Sequence, residues 1–356
     1  MPEPGLTLPG PDLHLAGRDA PAFWVLGLAG IAAAVATAVA LGAATGISTV
    51  AQLAICAAAI ATFAALWRIE GRRIVYLHHH LAVLLVAGLL AAALGQPVAA
   101  HLDVTAAGLG VFLVLGRIGC LLAGCCHGRP AERGVRYGAA HVVQGFPAWL
   151  AGVALIPVQA LESGGAALLA VAAAAAALEG PAGAGFVVYG AGYAALRFAL
   201  EPLRGDLGRR YRGGLSEAQW TALALAAGTA AIALAGPLPW PVVPLSALLA
   251  ISAGVVAFAH RRPVLGPQHV RELLHALGPA TPAAASRPPR VARTSCGVLV
   301  SSGWAGERPL YTLSGAALGR QRARVLARAI LSQRHPGSPA HLVTGPAGVF
   351  HVVVDP

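Results

Sequence analysis

Long apolar runs separated by short polar breaks occupy residues 22–259 of the chain. They fall at 22–41, 49–67, 81–99, 104–122, 149–178, 183–203, 218–234 and 240–259. Most approach or exceed the roughly 20 residues with which a helix crosses ~30 Å of hydrocarbon. The fifth run is long enough to hold a break, because Pro157, Gln159 and Glu162 interrupt it. The eighth opens with Pro237, Pro239, Pro241 and Pro244 and reads as tilted or re-entrant. The pattern predicts an all-α polytopic membrane protein of seven or eight transmembrane helices. Residues 1–20 carry Pro, Asp and Glu and lack a basic n-region, so no cleavable signal peptide is expected and the first helix serves as an anchor.

Beyond Arg262 the periodicity changes. A short helix is predicted at 269–277, followed by a Pro/Ala/Ser-rich linker; strands are predicted at 296–301, 340–343 and 349–354, and an Arg-studded helix at 315–332. The expected organisation is a membrane domain over 1–262, a helix and linker over 263–290, and a small basic α/β soluble appendage over 291–356.

Composition agrees with insertion into lipid: of 356 residues 57% are hydrophobic and 11% charged, where a soluble domain carries about a quarter. All 25 basic residues are Arg, which suggests a coding bias, so Arg in place of Lys at any single site says little. The net charge of +11 sits mostly in the tail, where 12 Arg from Arg261 onward face Glu272, Glu307 and Asp355. Anionic lipid headgroups or a nucleic acid can attract such a surface, a merely solvated basic face is the commoner outcome, and no nucleic-acid partner is expected. Arginines gather after the second, fourth, sixth and eighth runs, on one side of the membrane. Those after the fourth and sixth are also candidates for a site, which leaves the orientation open.

An ionisable group inside a span costs at least ~2.5 kcal/mol and needs a reason to be there. Arg117 ends the fourth run, Gln159 and Glu162 lie in the fifth, and Tyr193, Arg197, Glu201 and Arg204 recur at helical spacing in the sixth. Internal pairing, with Asp103 as a helix cap, is the structural alternative. As a set, more arginines than acids converge, which predicts a cationic cavity suited to a phosphate. Cys120, Cys125, Cys126 and His127, with one of His78 to His80 or His101, also form a soft-ligand group for zinc or copper, although their spacing matches no standard zinc pattern.

The run from Gly116-Arg117-Ile118-Gly119 to Gly128-Arg129-Pro130 resembles the signature of prolipoprotein diacylglyceryl transferases. Pro157-Val158-Gln159-Ala160-Leu161-Glu162 is similar to that family's Pro-x-Gln-x-x-Glu. Tyr193, Arg197-Phe198, Glu201 and Arg204, then Gly214-Leu215-Ser216 with Gln219, follow in family order, and the resemblance runs over roughly residues 10–235. It implies transfer of the diacylglyceryl group of phosphatidylglycerol to the lipobox cysteine thiol of a prolipoprotein, in a bacterial inner membrane. The implied partners are that anionic phospholipid and the precursor's signal peptide, with no cofactor. It also implies His78 as general base, Tyr193 as its assistant and Arg197 as a catalytic cation, with Arg117, Gln159, Glu162, Glu201 and Arg204 binding substrate. Family enzymes carry Asn and Glu where this chain has Cys120 and Cys125, and glycines where it has His79 and His80. Two alternatives follow: a divergent paralogue with another acceptor, or a non-enzymatic metal or redox membrane protein built on Cys120, Cys125, Cys126 and His127.

Overall fold

The computed structural model describes residues 6–71, 76–206, 211–212, 214–235, 247–248, 250–255, 264–277, 290–316 and 318–355. Two short N-terminal strands, β1 (Leu6–Thr7) and β2 (Asp12–Leu15), precede β3 (Arg18–Pro21), which forms a hairpin with β2. The helices α1 (Ala22–Ala44), α2 (Thr49–Ile69), α3 (Tyr76–Ala93) and α4 (Val98–Ala123) then follow in close succession. Ser48 caps α2 by accepting a hydrogen bond from the Ala51 amide at 3.3 Å. After α4 come β4 (Pro130–Arg136), the short α5 (Ala139–Val143), α6 (Val158–Glu179) and α7 (Ala184–Leu200). The ribbon of β5 (Tyr211–Arg212) and β6 (Leu215–Ser216) leads into α8 (Glu217–Ala235).

Among the described residues four helices, α1, α2, α4 and α6, are long and apolar enough to cross a membrane, where the hydrophobic runs predict seven or eight. The difference has local causes. Helix α7, at 17 residues, falls short of a full span and ends in a 3-10 turn at Glu201–Leu203. Helix α3 carries His78, His79 and His80 in its first turns, and its apolar part, His78–Ala93, is shorter than a full span. The eighth run lies mostly outside the described residues; within it, 247–248 and 250–255 are helical. Outward-facing Leu28, Leu85, Leu89, Leu168 and Val171 are each more than 60% exposed, a surface suited to lipid.

Helix α4 is the axis of the assembly and packs on α1, α3, α6 and α7. Glycine permits that crowding: a Cβ at Gly108 would stand 2.8 Å from the Ala34 carbonyl oxygen of α1, and one at Gly110 equally close to Ala170 and the Tyr189 ring. Asp103 acts as a helix cap, though not for its own helix. Its two carboxylate oxygens accept from the Gly183 and Phe186 amides at 2.7 Å each, so α4 holds the start of α7.

The fifth run divides in the structure. Ala148–Leu150 forms a 3-10 turn, an irregular segment follows, and α6 starts at Val158 behind Pro157. Gln159 and Glu162 therefore occupy the first turns of α6 and do not interrupt it. In the C-terminal part, α9 (Pro267–Ala276) and α10 (Arg320–Arg334) cover an antiparallel sheet of β7 (Ala292–Arg293), β8 (Leu299–Ala305), β9 (Arg308–Ser314), β10 (Ala340–Thr344) and β11 (Val349–Val354), in the order β10-β11-β9-β8-β7. Sheet and helix share one apolar core with Tyr137, Phe146, Trp149, Leu150 and Leu155. Helix α10 lies against Ala148–Leu150, and Arg328 donates to the Ala151 carbonyl at 3.3 Å. The tail is thus seated on the loops that follow α4.

Candidate active site

Glu162, fully buried in the second turn of α6, is the hub of the polar interior. Arg117, in the last two turns of α4, meets it with two nitrogens: Nη2 at 3.0 Å from Oε1 and Nε at 2.9 Å from Oε2. The Tyr193 hydroxyl of α7 donates to Oε1 at 2.8 Å. Arg197, one turn further along α7, comes within 3.9 Å of the same oxygen, and Arg204 within 4.0 Å of the other. Three guanidinium groups and a phenol from three segments therefore converge on one carboxylate. Isolated, any of these charges in a low-dielectric interior would cost several kcal/mol; together they compensate.

The outer partners change the expected charge balance. Arg197 pairs with Glu201 at 2.7 Å across one helical turn, and Arg204 with Asp206 at 2.8 Å. Three acids thus accompany three arginines, and the predicted cationic surplus is not present within the cluster. Asp206 was not among the sequence candidates because it lies beyond the helical repeat, two residues after Arg204.

Arg204 reaches the cluster through backbone pairing. Gly128 bridges Arg204, the Arg129 amide donates to Leu203 O at 2.8 Å, and the Gly205 amide to His127 O at 3.0 Å. The Gly-Arg-Pro end of the signature is therefore a splice between the loop after α4 and the end of α7. Side chains are excluded there, since a Cβ at Gly128 would lie 2.2 Å from Ile156 O.

Of the expected site residues, Arg117, Glu162, Tyr193, Arg197, Glu201 and Arg204 come together. Gln159 has a neighbouring position: its amide nitrogen donates to Cys125 O at 2.7 Å and to the Tyr137 hydroxyl at 3.2 Å, tying the cysteine loop to α6. His78 lies elsewhere, 2.8 Å from Glu70 and 3.4 Å from Glu217. The histidine beside Tyr193 is His80, fully buried and stacked on Tyr189 and Tyr193 with centroids 5.5 and 5.7 Å away; its Nδ1 is 3.4 Å from the Tyr76 hydroxyl. Tyr76 was not singled out from the sequence, yet its ring lies 5.9 Å beneath the Arg117 guanidinium and stacks on Phe112. The signal that could have found this aromatic wall is spacing, since Tyr76 and His80 on α3, like Tyr189 and Tyr193 on α7, stand four residues apart.

The sulfur atoms of Cys120, Cys125 and Cys126 all lie within 4.8 Å of one another, and no disulfide joins them. Gly124 ends α4 in the left-handed conformation, and Cys126 also has a positive φ, +54°. His101, expected as a possible companion, is engaged elsewhere: it bonds Gln52 at 2.8 Å, about 28 Å along α4 from Cys120.

No curated protein matches the chain. Residues 75–235 match the family model for prolipoprotein diacylglyceryl transferase, a narrower stretch than the 10–235 suggested by the motifs but one that contains every side chain of this cluster. That match supports the resemblance of residues 75–235 of this membrane chain to the prolipoprotein diacylglyceryl transferase family.

Proposed function

We propose that the protein transfers the diacylglyceryl group of phosphatidylglycerol to the lipobox cysteine thiol of a prolipoprotein at the bacterial inner membrane. The observation that carries this reading is the convergence of Arg117, Arg197 and Arg204 on buried Glu162. In the reaction the acceptor sulfur forms a bond to the glycerol carbon while the carbon–oxygen bond to phosphate breaks. The electron pair leaves on glycerol phosphate, whose charge grows from one negative to two. Fixed guanidinium groups in a dry site stabilise that growth by several kcal/mol. Glu162 holds them in place before substrate arrives, and Tyr193 donates from the opposite side. The acceptor thiol, with a pKa near 8.5, needs a base. His80, beside Tyr193, is better placed for that role than His78.

An apolar pocket open to the surroundings supports a lipid donor. Ile31, Ala34, Ile55, Phe63 and Phe112 line it between α1, α2 and α4. Phe112 also stacks on Tyr76 beneath Arg117, so an acyl chain in the pocket would share a wall with the phosphate cluster. The cysteines at 120 and 125 favour a second reading, in which the donor is the same and the acceptor differs.

The test is lipidation of a lipobox peptide by purified protein in vesicles of phosphatidylglycerol or phosphatidylcholine. A mass gain of one diacylglyceryl group with the first lipid alone is expected. Consumption of phosphatidylglycerol without peptide modification would select the second reading, and no consumption of either lipid would reject both.

A further inference from the structure

We propose that Cys120, Cys125 and Cys126 form a three-thiolate site for one thiophilic d10 cation, zinc or copper(I). Three sulfurs within 4.8 Å of one another are close to the spacing that such an ion imposes. With metal–sulfur bonds of ~2.3 Å, tetrahedral geometry puts sulfurs about 3.8 Å apart and trigonal geometry about 4.0 Å, so closure needs movements of under about 1 Å. Side-chain rotation is enough for that.

A second observation is independent of sulfur spacing. Cys126 adopts φ +54°, a left-handed conformation that costs a non-glycine residue of order 1 kcal/mol or more and persists where the surroundings impose it. The loop is fixed in that shape by Gln159, which holds Cys125 O, and by the pairing of Gly205 with His127. The sequence Cys125-Cys126 thereby presents both thiols to Cys120, one turn after Arg117 on α4. Three thiolates leave a net charge of −1 around zinc and −2 around copper(I). Soft thiolates with no hard oxygen donor among them favour zinc or copper(I) over magnesium or calcium.

The position gives the ion a use. The cluster lies about one helical turn from the phosphate-binding residues on both supporting helices: Cys120 follows Arg117 by three residues, and Gln159 precedes Glu162 by three. Zinc held by three protein ligands would take a fourth from outside the chain, and a thiol bound there would be present as thiolate, the base proposed for the transfer taking its proton. That step rests on the transferase reading; the metal site itself does not.

Reduced, metal-free protein in detergent, titrated anaerobically with Co²⁺ and then Zn²⁺, or separately with Cu⁺, tests the site. One equivalent is expected, with a sulfur-to-cobalt charge-transfer band that zinc abolishes. The band should be lost in Cys120→Ser, Cys125→Ser and Cys126→Ser and kept in Cys56→Ser and Cys296→Ser. One equivalent of Cu⁺ with no cobalt band would identify copper(I) as the ion. Added zinc or Cu⁺ should also raise the melting temperature of the wild type and not of the first three variants, a readout that does not need activity. Less than a tenth of an equivalent of every ion, or binding that survives all three substitutions, overturns the site. A lipobox-cysteine peptide should shift the visible cobalt bands while its serine counterpart does not. Unchanged bands in a metal-loaded, lipidating protein would overturn the activating step alone.

Discussion

The Tyr193 hydroxyl and the Arg117 guanidinium share one acceptor, Oε1 of Glu162, at 2.8 and 3.0 Å. A neutral donor from α7 and a charged one from α4 are thereby held at fixed separation by a residue of α6. The carboxylate fills the space between the two donors, so an anion would meet the outer N–H groups of a guanidinium already held in orientation, without the reorganisation that water would need.

Glu162→Gln should keep the shape of this hub and remove its charge. The variant is expected to lose about 3–5 kcal/mol of stability, the range for breaking a buried pair. Inorganic phosphate should raise the melting temperature of the variant by more than that of the wild type, because an anion replaces the missing charge. An equal response in both proteins would mean that the arginines do not form an anion site.

The histidine series separates three neighbouring side chains. His80→Ala removes a buried ring stacked on Tyr189 and Tyr193 and should abolish lipidation, whereas His78→Ala, at the Glu70 and Glu217 surface, should retain most of it. Rates per folded protein check this, and loss in His78→Ala alone would return the base to the position implied by the family motif.

Glycines of the signature should divide by what surrounds them. A Cβ at Gly116, in the interior of α4, meets nothing within 4 Å, so Gly116→Ala should fold with a melting temperature no lower than that of the wild type. Gly128→Ala would drive a Cβ into Ile156 O and break the pairing that carries Arg204; it should unfold or inactivate the protein. Equal melting temperatures for the two variants would contradict the splice.

Asp103→Ala should cost about 2 kcal/mol by leaving two amides at the start of α7 without an acceptor, and Asp103→Asn less. Thermal unfolding in detergent measures both.

Much of the site was legible because its residues repeat at helical spacing: Tyr193, Arg197, Glu201 and Arg204 read as one face, and Arg117 and Glu162 are costly enough in an apolar run to demand partners. What escaped depends on contacts between segments. The histidine that faces Tyr193 is set by the rotation of α3, where adjacent residues point about 100° apart, and no periodicity fixes that angle among three histidines. Asp206, which neutralises Arg204, sits outside the helix and so outside the pattern. Asp103 was recognised as a cap, but its partner helix, α7, lies about 80 residues later and only tertiary packing reveals it. In the tail, β9 was missed because Arg308 and Pro309 mask the alternation that Tyr311 and Leu313 then continue. The predicted strand start at Cys296 fell instead on a turn through Gly297, with β8 beginning at Leu299.

The claim that the arginines bind the phosphate of the lipid donor is tested most directly by the rate of lipobox-peptide lipidation from phosphatidylglycerol vesicles in Arg117→Gln and Arg197→Gln, normalised to folded protein. The account predicts a fall of at least 100-fold in each, about 3 kcal/mol of lost transition-state stabilisation. Wild-type rates in both folded variants would contradict it.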